Sequence, residues 1–271
     1  MDVTAAAVRL RDAYVARQPA PTPSSEDPAF DLASAYAVER ELVRMRAETG
    51  HRTIGRKVGY ANKAMWRALK LETLVWAHMY DDTVHQAMNG AATLAIGRMY
   101  SPKIEPEIVF KLRAPLADVR GDAAAALAGV EWLALGFEII DAVYPEWTFQ
   151  PADFVAAYGL HAALVVGEPM PVEPSSIAAL VETLPSFKVR LMKNGEIVEE
   201  GSGRNSLRSP ALCLAELAAA IAHQPHANAL GAGELISSGT LTNSRPIAAG
   251  ETWRAEVEGL VVAPLTLRTV S

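Results

Sequence analysis

The order of elements along the chain predicts an α+β fold, a mostly antiparallel or mixed β core carrying a helical N-terminal lobe. Three observations predict it. Long helical periodicity is concentrated in the first 50 residues, and short apolar strands dominate from about residue 94. Those strands do not alternate regularly with helices, as parallel βαβ units require. The 271 residues, half of them hydrophobic, suffice for one large core with a small extra lobe. The expected division is a lobe over 1–50 and a β-rich domain over 51–271.

Residues 3–17 carry a weak amphipathic pattern, and "QPAPTPSSEDP" at 18–28 breaks it with Pro and Ser as a linker does. A second helix is expected over 30–48, where Leu32, Ala35, Tyr36, Val38, Leu42 and Met45 recur near a 3.6-residue period before Gly50. "TIGRKVGY" at 53–60 reads as a short strand and "NKAMWRALKL" at 62–71 as a helix. Further strands are expected at 94–99, 103–113, 133–143, 161–167, 187–193, 196–200, 234–239, 252–258 and 261–269, with short helices near 122–129, 151–158 and 174–183. Asn194-Gly195 marks a hairpin turn. Ser209 as N-cap and Pro210 at the first helical position open a last helix running to His223. No internal repeat is present.

A net charge of −6, a pI near 5.6 and no Lys/Arg-rich run argue against a nucleic-acid partner. The single cysteine, Cys213, excludes an intramolecular disulfide and a Cys-based metal site, and its Ala/Leu surroundings make it core filler. "MDVTAAAVRLRDAYVAR" lacks the apolar centre of a signal peptide, and no run of about 18 apolar residues occurs. A soluble cytoplasmic protein without membrane contact is the expectation.

The chemistry-bearing stretch is "KIEPEIVF", 103–110. Strand side chains alternate with period two, so Lys103, Glu105, Glu107 and Val109 share one face and Ile104, Pro106, Ile108 and Phe110 the other. Two carboxylates on one face repel unless water or a cation relieves them. In "LGFEIIDAV", 135–143, Glu138 stands among apolar neighbours, an expensive place for an unpaired charge. Asp141 points the other way and suits a structural role. Three carboxylates with no His or Cys cluster favour a hard divalent cation, Mg²⁺ or Mn²⁺. Two alternatives stand beside this: a solvated face on an edge strand, which Pro106 suits, and a buried salt bridge for Glu138.

"GRKVGY", "KIEPEIVFKL", "ALGFEIID", "EEGSG", "SPALCLAELA" and "GELISSGTL" resemble, in order, signature segments of the 2-oxopent-4-enoate (2-hydroxypentadienoate) hydratases and the similar 4-oxalocrotonate decarboxylases. Both belong to the fumarylacetoacetate hydrolase superfamily, and the likeness covers about residues 30–270. It implies a fumarylacetoacetate-hydrolase-like mixed β-roll, with 51–271 as the catalytic domain. It implies that Glu105, Glu107 and Glu138 hold one Mg²⁺ or Mn²⁺. Lys57 matches the family's active-site lysine. The alternative is a surface lysine, since Arg56 beside it is also charged and one of the two should face solvent. Asp82 matches an aspartate near the site, with Asp81 an ambiguous neighbour and a turn-forming Asp pair as the competing role. The implied activity is hydration of a 2-hydroxy-dienoic or 2-oxo-enoic acid to a 4-hydroxy-2-oxo acid, in a homo-oligomer.

This chain departs from that pattern at two places. The familiar hydratases follow the lysine with Gly-Leu-Thr-Ser, where Gly59-Tyr60-Ala61-Asn62 stands here. They carry Asp-Asn-Ala-Ser where Ala157-Tyr158-Gly159-Leu160 stands here. Tyr60, Asn62, Tyr158 and Leu160 are therefore expected to bind substrate and to have changed which substrate enters. The loop "GSGRNSLRSP" has no phosphate-loop spacing and reads as a turn before the Ser209 cap. His78, His85 and His161 are expected to be structural, with His161 the foremost candidate for more. The tryptophans (Trp66, Trp76, Trp132, Trp147 and Trp253) suit core or interface. Metal-dependent decarboxylation and a non-catalytic partner subunit are the alternatives to hydration. Acylpyruvate hydrolysis is a further enzyme reading, and Glu138 in place of the hydrolases' Asp argues against it.

Overall fold

Asp2 and Asp31 each accept a backbone N–H at the start of a helix, α1 (Val3–Ala16) and α3 (Leu32–Glu48). Between them, in the computed structural model that describes residues 1–271, lies the single turn α2 (Pro23–Glu26). The segment expected as a linker is not free. Ser24 donates its backbone N–H and its hydroxyl to the two oxygens of the buried Asp153 carboxylate, at 2.8 and 2.6 Å. Ala6, Leu10, Ala35, Val38 and Leu42 join the same apolar cluster as the sheet behind them.

The chain then runs through β1 (Thr53–Gly59), α4 (Lys63–Leu69), β2 (Val75–Tyr80), β3 (Val84–Gln86), β4 (Ala91–Ala95) and β5 (Pro102–Leu112). Next come α5 (Ala123–Ala128), β6 (Val130–Asp141), α6 (Pro151–Ala156), β7 (His161–Val166), β8 (Met170–Pro171) and α7 (Ile177–Thr183). The C-terminal part adds β9 (Lys188–Lys193), β10 (Glu196–Ser202), α8 (Pro210–His223), β11 (Leu235–Ser237), β12 (Arg245–Pro246), β13 (Thr252–Glu258) and β14 (Leu265–Val270). No helix is long and apolar enough to cross a membrane.

Two sheets form. The larger orders its strands β2-β1-β11-β5-β6-β7-β3, with β12 on β5 and β8 on β6, and the smaller is β10-β9-β13-β14-β4. Both are mixed: β1–β11, β3–β7 and β4–β14 pair in parallel and the rest antiparallel. The two longest strands, β5 and β6, lie at the centre, where Ile104, Ile108, Phe110, Leu133, Leu135 and Phe137 are fully buried on their shared apolar face. Asn194 and Gly195, both at positive φ, close the β9–β10 hairpin as expected.

Some boundaries moved for physical reasons. "VWAHMY" at 75–80, not expected as a strand, lacks alternation because β2 is buried on nearly every residue. The strand expected at 94–99 is 91–95, and the one expected at 261–269 begins only at Leu265, after a loop that exposes Val261.

Candidate active site

The β5–β6 ladder pairs Glu105 with Glu138 and Glu107 with Gly136. Directly opposed residues share a face, and so do residues two apart on one strand, so all three carboxylates project to the same side. One oxygen from each lies within 4.8 Å of the others. Glu107 and Glu138 are fully buried and Glu105 is half-buried. The solvated edge strand is excluded, because β5 lies between β6 on one side and β11 and β12 on the other. Pro106 is tolerated because it lies between the residues of β5 that pair with β12, Lys103 and Ile104, and those that pair with β11, Val109 to Lys111. Its carbonyl accepts the Leu241 N–H at 2.9 Å, and its donorless nitrogen faces the same loop rather than a ladder strand.

Each buried carboxylate keeps one oxygen unsatisfied by hydrogen bonds. Glu107 Oε2 accepts the Ser237 hydroxyl at 2.5 Å and the Gly239 N–H at 2.8 Å, while Oε1 has no partner. Glu138 Oε1 accepts from His161 Nδ1 at 2.9 Å. Its Oε2 has no aligned hydrogen bond and meets only the charge of Lys57, whose Nζ lies 3.1 Å away. Burial, reinforced by the neighbouring Glu138 charge and opposed by Lys57, raises the Glu105 carboxyl to about 7. Burial, then the charges of Glu138 and Glu105, push Glu107 well above the carboxylate range. Burial also works against charge on Glu138, but Lys57 and His161 together outweigh it and hold that carboxyl low. The orphaned oxygens and all-oxygen donor set fit a hard divalent cation, and Glu105, Glu107 and Glu138 are the residues able to hold one.

Lys57 and Arg56 point to opposite sides of β1, and neither reaches solvent as one of them was expected to. Arg56 is 3 % exposed, pairs with Glu234 at 2.9 Å and lies over the Trp76 ring. Lys57 is 2 % exposed, and its ammonium donates to the Gly159 carbonyl at 2.9 Å and lies 4.9 Å from the Phe154 ring centre. Burial on an interior strand of a wide sheet accommodates both side chains. The carbonyl that receives Lys57 is aimed by an unusual backbone: Tyr158, Gly159 and Leu160 all have positive φ, 56°, 59° and 58°. A Cβ on Gly159 would sit 2.7 Å from Ala77 Cβ and 2.9 Å from Lys57 Cδ, so any other residue there is strained and forces its neighbours to shift.

A cavity of about 810 Å³ opens over this cluster, bordered by Lys57 and Glu105. Of the residues expected to bind substrate, Tyr60, Asn62 and Leu160 border it. Tyr60 packs edge-on against Phe154, and the Asn62 carbonyl oxygen is already used to cap α4 through the Ala64 N–H at 3.1 Å. Tyr158 is a correction: its ring turns away from the cavity and packs edge-on against Tyr14 and Tyr80. Asp82 is another. It stands exposed in the turn after β2, ion-paired with Arg46 and 3.5 Å from His51 Nδ1, and does not border the cavity. Asp141, as expected, is structural, accepting the Tyr100 and Ser101 N–H groups where β5 begins.

Two features escaped the sequence. His161 is the buried partner of Glu138, and its other nitrogen meets the Thr83 hydroxyl at 2.9 Å. An ionised carboxylate only accepts, which assigns a proton to Nδ1, while the Thr83 hydroxyl beside Nε2 also lies 3.0 Å from the Tyr80 carbonyl to which it donates. Only the sheet pairing reveals this contact. The loop read as a turn, 201–210, brings Arg204, Asn205, Leu207 and Arg208 to the cavity. Ser209 occupies the N-cap position of α8 as expected, but its hydroxyl makes no capping bond.

Comparison with known proteins accords with this geometry. The chain is 27% identical over 258 residues to 4-oxalocrotonate decarboxylase of Pseudomonas sp. (strain CF600), covering 95% of this chain and 94% of that one. It is 29% identical over 241 residues to 2-hydroxyhexa-2,4-dienoate hydratase of Comamonas testosteroni, covering 86% and 85%. The solved 4-oxalocrotonate decarboxylase from Pseudomonas putida G7, complexed with magnesium and adipate, superposes with a TM-score of 0.87 at 25% identity, over 99% of this chain and 97% of that one. Residues 59–267 match the model of the fumarylacetoacetate (FAA) hydrolase C-terminal domain, and the chain belongs to the fumarylacetoacetate hydrolase family.

Proposed function

We propose that this chain is a divalent-metal-dependent lyase, a hydratase that adds water to a 2-hydroxy-dienoic or 2-oxo-enoic acid to give a 4-hydroxy-2-oxo acid. The observation that carries the reading is the convergence of three carboxylates, two with orphaned buried oxygens, on one sheet face with the Lys57 ammonium 3.1 Å from Glu138. Glu105, Glu107 and Glu138 hold Mg²⁺ or Mn²⁺ in this reading. When bound, the cation supplies electrophilic stabilisation of the negative charge that develops on a 2-oxo acid.

The chain's own residues do the rest. An ammonium has three N–H bonds; Lys57 commits one to the Gly159 carbonyl and stands 3.1 Å from the Glu138 carboxylate without an aligned hydrogen bond, which leaves a donor for a substrate atom. That places Lys57 to carry protons. Ketonisation moves the enol proton to carbon 5, and water then adds across the C3–C4 double bond, hydroxyl to carbon 4 and proton to carbon 3. His161 fixes the orientation of Glu138, and Tyr60, Asn62 and Leu160 shape the wall beside the lysine.

Decarboxylation of the 4-oxalocrotonate type is the second reading, supported by the likeness of the whole chain to a decarboxylase structure. Loss of CO₂ leaves the same kind of dienolate for Lys57 to protonate, so the cluster serves either reaction. Incubation of the metal-loaded protein with 2-hydroxypentadienoate and with 4-oxalocrotonate, following dienol absorbance and released CO₂, separates them. Hydration predicts loss of absorbance from the first acid without CO₂. Release of CO₂ from the second acid alone selects decarboxylation. Failure to bind metal at saturating Mg²⁺ and Mn²⁺ overturns both.

A further inference from the structure

We infer that the protein has a second ligand site, on the opposite face of the β1–β2 ladder from Lys57, and that this site binds a small carboxylate bearing a hydroxyl group. Its cavity shares no residue with the one over the carboxylate cluster, and the inference stands whichever reaction that cluster performs.

Arg56 and His78 are direct partners across β1 and β2 and therefore share a face, and Trp76, two residues from His78, shares it too. Helix α3 lies against that face. Glu39 Oε1 accepts the His78 backbone N–H at 3.1 Å and meets His78 Nδ1 at 2.5 Å, and the Tyr36 hydroxyl accepts the Trp76 N–H at 3.2 Å. A cavity of about 410 Å³ opens between α3, the ladder and the loop 224–228 that follows α8. Glu39, Arg40, Arg44, Arg56, His78 and Glu234 all border it.

Two buried groups of opposite character stay unpaired there. Glu39 is 1 % exposed and its Oε2 has no partner, while Arg56 is 3 % exposed and its Nε has none. The two sense each other: burial lowers the Arg56 guanidinium, and the charge of Glu234, then that of Glu39, opposes the shift. Yet no nitrogen of Arg56 comes within 4.0 Å of a Glu39 oxygen, and Arg56 pairs with Glu234 at 2.9 Å instead. Buried polar groups in folded proteins are nearly all satisfied. What satisfies this pair must donate to the carboxylate and accept from the guanidinium. A hydroxyl does both through a single atom, whereas an ammonium cannot accept and an ionised carboxylate cannot donate.

The charge balance supplies the other half of the ligand. Arg56 is matched by Glu234, and Arg44 by Glu41 and Glu48. Arg40, one helical turn before Arg44 on α3, makes no ion pair. In a protein of net charge −6 that leaves an uncompensated cation where a ligand enters, and its planar donors match a carboxylate. A carboxylate at Arg40 and a hydroxyl between Glu39 and Arg56 together describe a hydroxy acid, and the cavity has room for one of a few carbons.

The test is calorimetric titration in chelator, where no metal recruits acids to the carboxylate cluster, with 4-hydroxypentanoate and pentanoate, which differ only in the hydroxyl. Wild type is expected to bind the hydroxy acid more tightly by roughly tenfold. Glu39→Gln puts an amide donor where the orphaned acceptor stands, and is expected to cut the preference to about twofold or less. Arg40→Gln is expected to weaken both acids alike, by roughly tenfold, and to keep the preference. Neither residue borders the other cavity, so these two shifts place the binding here. No heat from either acid, or equal binding of both to wild type, overturns the proposal and leaves water as the partner of Glu39 and Arg56. A preference that survives Glu39→Gln, or affinities untouched by Arg40→Gln, overturns it as well. Arg40 is exposed, so its variant and the wild-type comparison decide even where Glu39→Gln fails to fold.

Discussion

Glu105 and Glu138 face each other across the β5–β6 ladder as direct antiparallel partners, although apolar residues flank Glu138 on its own strand. Like charges directly opposed on a sheet destabilise it, and in this sheet Glu107 adds a third carboxylate to the same face. The arrangement therefore costs stability unless something positive sits among the three.

Glu107→Gln removes one charge while keeping the size of the side chain and an acceptor for Ser237 and Gly239. Divalent-metal affinity is expected to fall by more than roughly 100-fold, exceeding what loss of a supporting residue around a metal produces. At a pH high enough to ionise Glu107, the metal-free variant is expected to melt at a higher temperature than wild type, since one of the repelling charges is gone. Calorimetry with Mg²⁺ and Mn²⁺, with thermal melting in chelator, checks both. Unchanged metal affinity would remove Glu107 from the ligand set.

The pH dependence follows from the raised carboxyls. Glu105 rises from 4.5 to about 7 and Glu107 also rises, so folding favours their protonated forms. The Glu105 contribution to the stability of the metal-free protein is full below about 4.5 and is lost as pH climbs through about 7, and the Glu107 contribution is likewise lost as pH rises through its own raised value. Metal needs the ionised forms, so Mg²⁺ affinity is expected to climb as pH rises over the window in which Glu105 ionises, with protons released on binding. Titrations in buffers of different ionisation enthalpy measure that release. A flat affinity profile across the window contradicts this account.

Gly159→Ala forces a Cβ against Ala77 and Lys57 at a positive φ. A loss of about 1–3 kcal/mol in stability is expected. Displacing the lysine is expected to lower kcat by about 100-fold. Chemical denaturation and steady-state kinetics read the two effects separately, and unchanged kcat would show that Lys57 does not depend on this carbonyl.

Lys57→Met leaves the Glu138 charge without its ammonium. Destabilisation by about 3–5 kcal/mol is expected, as for other broken buried pairs. Adding Glu138→Gln should recover much of it, because the orphaned charge is then gone. Activity is expected to drop by about 10²–10⁴ in the single variant, the range for a lost proton-transfer group. A double variant no more stable than the single one would refute the coupling.

His161→Asn withdraws the ring that orients Glu138. Metal affinity is expected to weaken by roughly 10–100-fold with the fold retained, the range for residues that hold a metal ligand in place. Direct metal titration decides it. An undiminished affinity would return His161 to a purely structural role.

The α+β class, the central strands and the common face of Glu105 and Glu107 were all readable from the chain, because period-two alternation and turn chemistry are local properties. The same parity placed Asp141 apart from the cluster, and the structure agrees. Strands buried on both sides were the least legible, as β2 illustrates, since complete burial erases alternation.

What the tertiary structure alone decided is everything that depends on long-range pairing. The register of β5 against β6 puts Glu138 opposite Glu105, and a slip of one residue would have sent it to the other face. The pairing of β7 with β6 brings His161 to Glu138, and the left-handed run at 158–160 turns Tyr158 away while delivering the Gly159 carbonyl to Lys57. Asp82 left the candidate site because its turn lies beside Arg46 and His51, and Arg204 and Arg208 entered it because a loop folds back onto the cavity. Sequence determined which chemical groups stand on which face of an element. Contact between elements far apart in the chain is set by the packing of the whole core, and that is where the site was assembled.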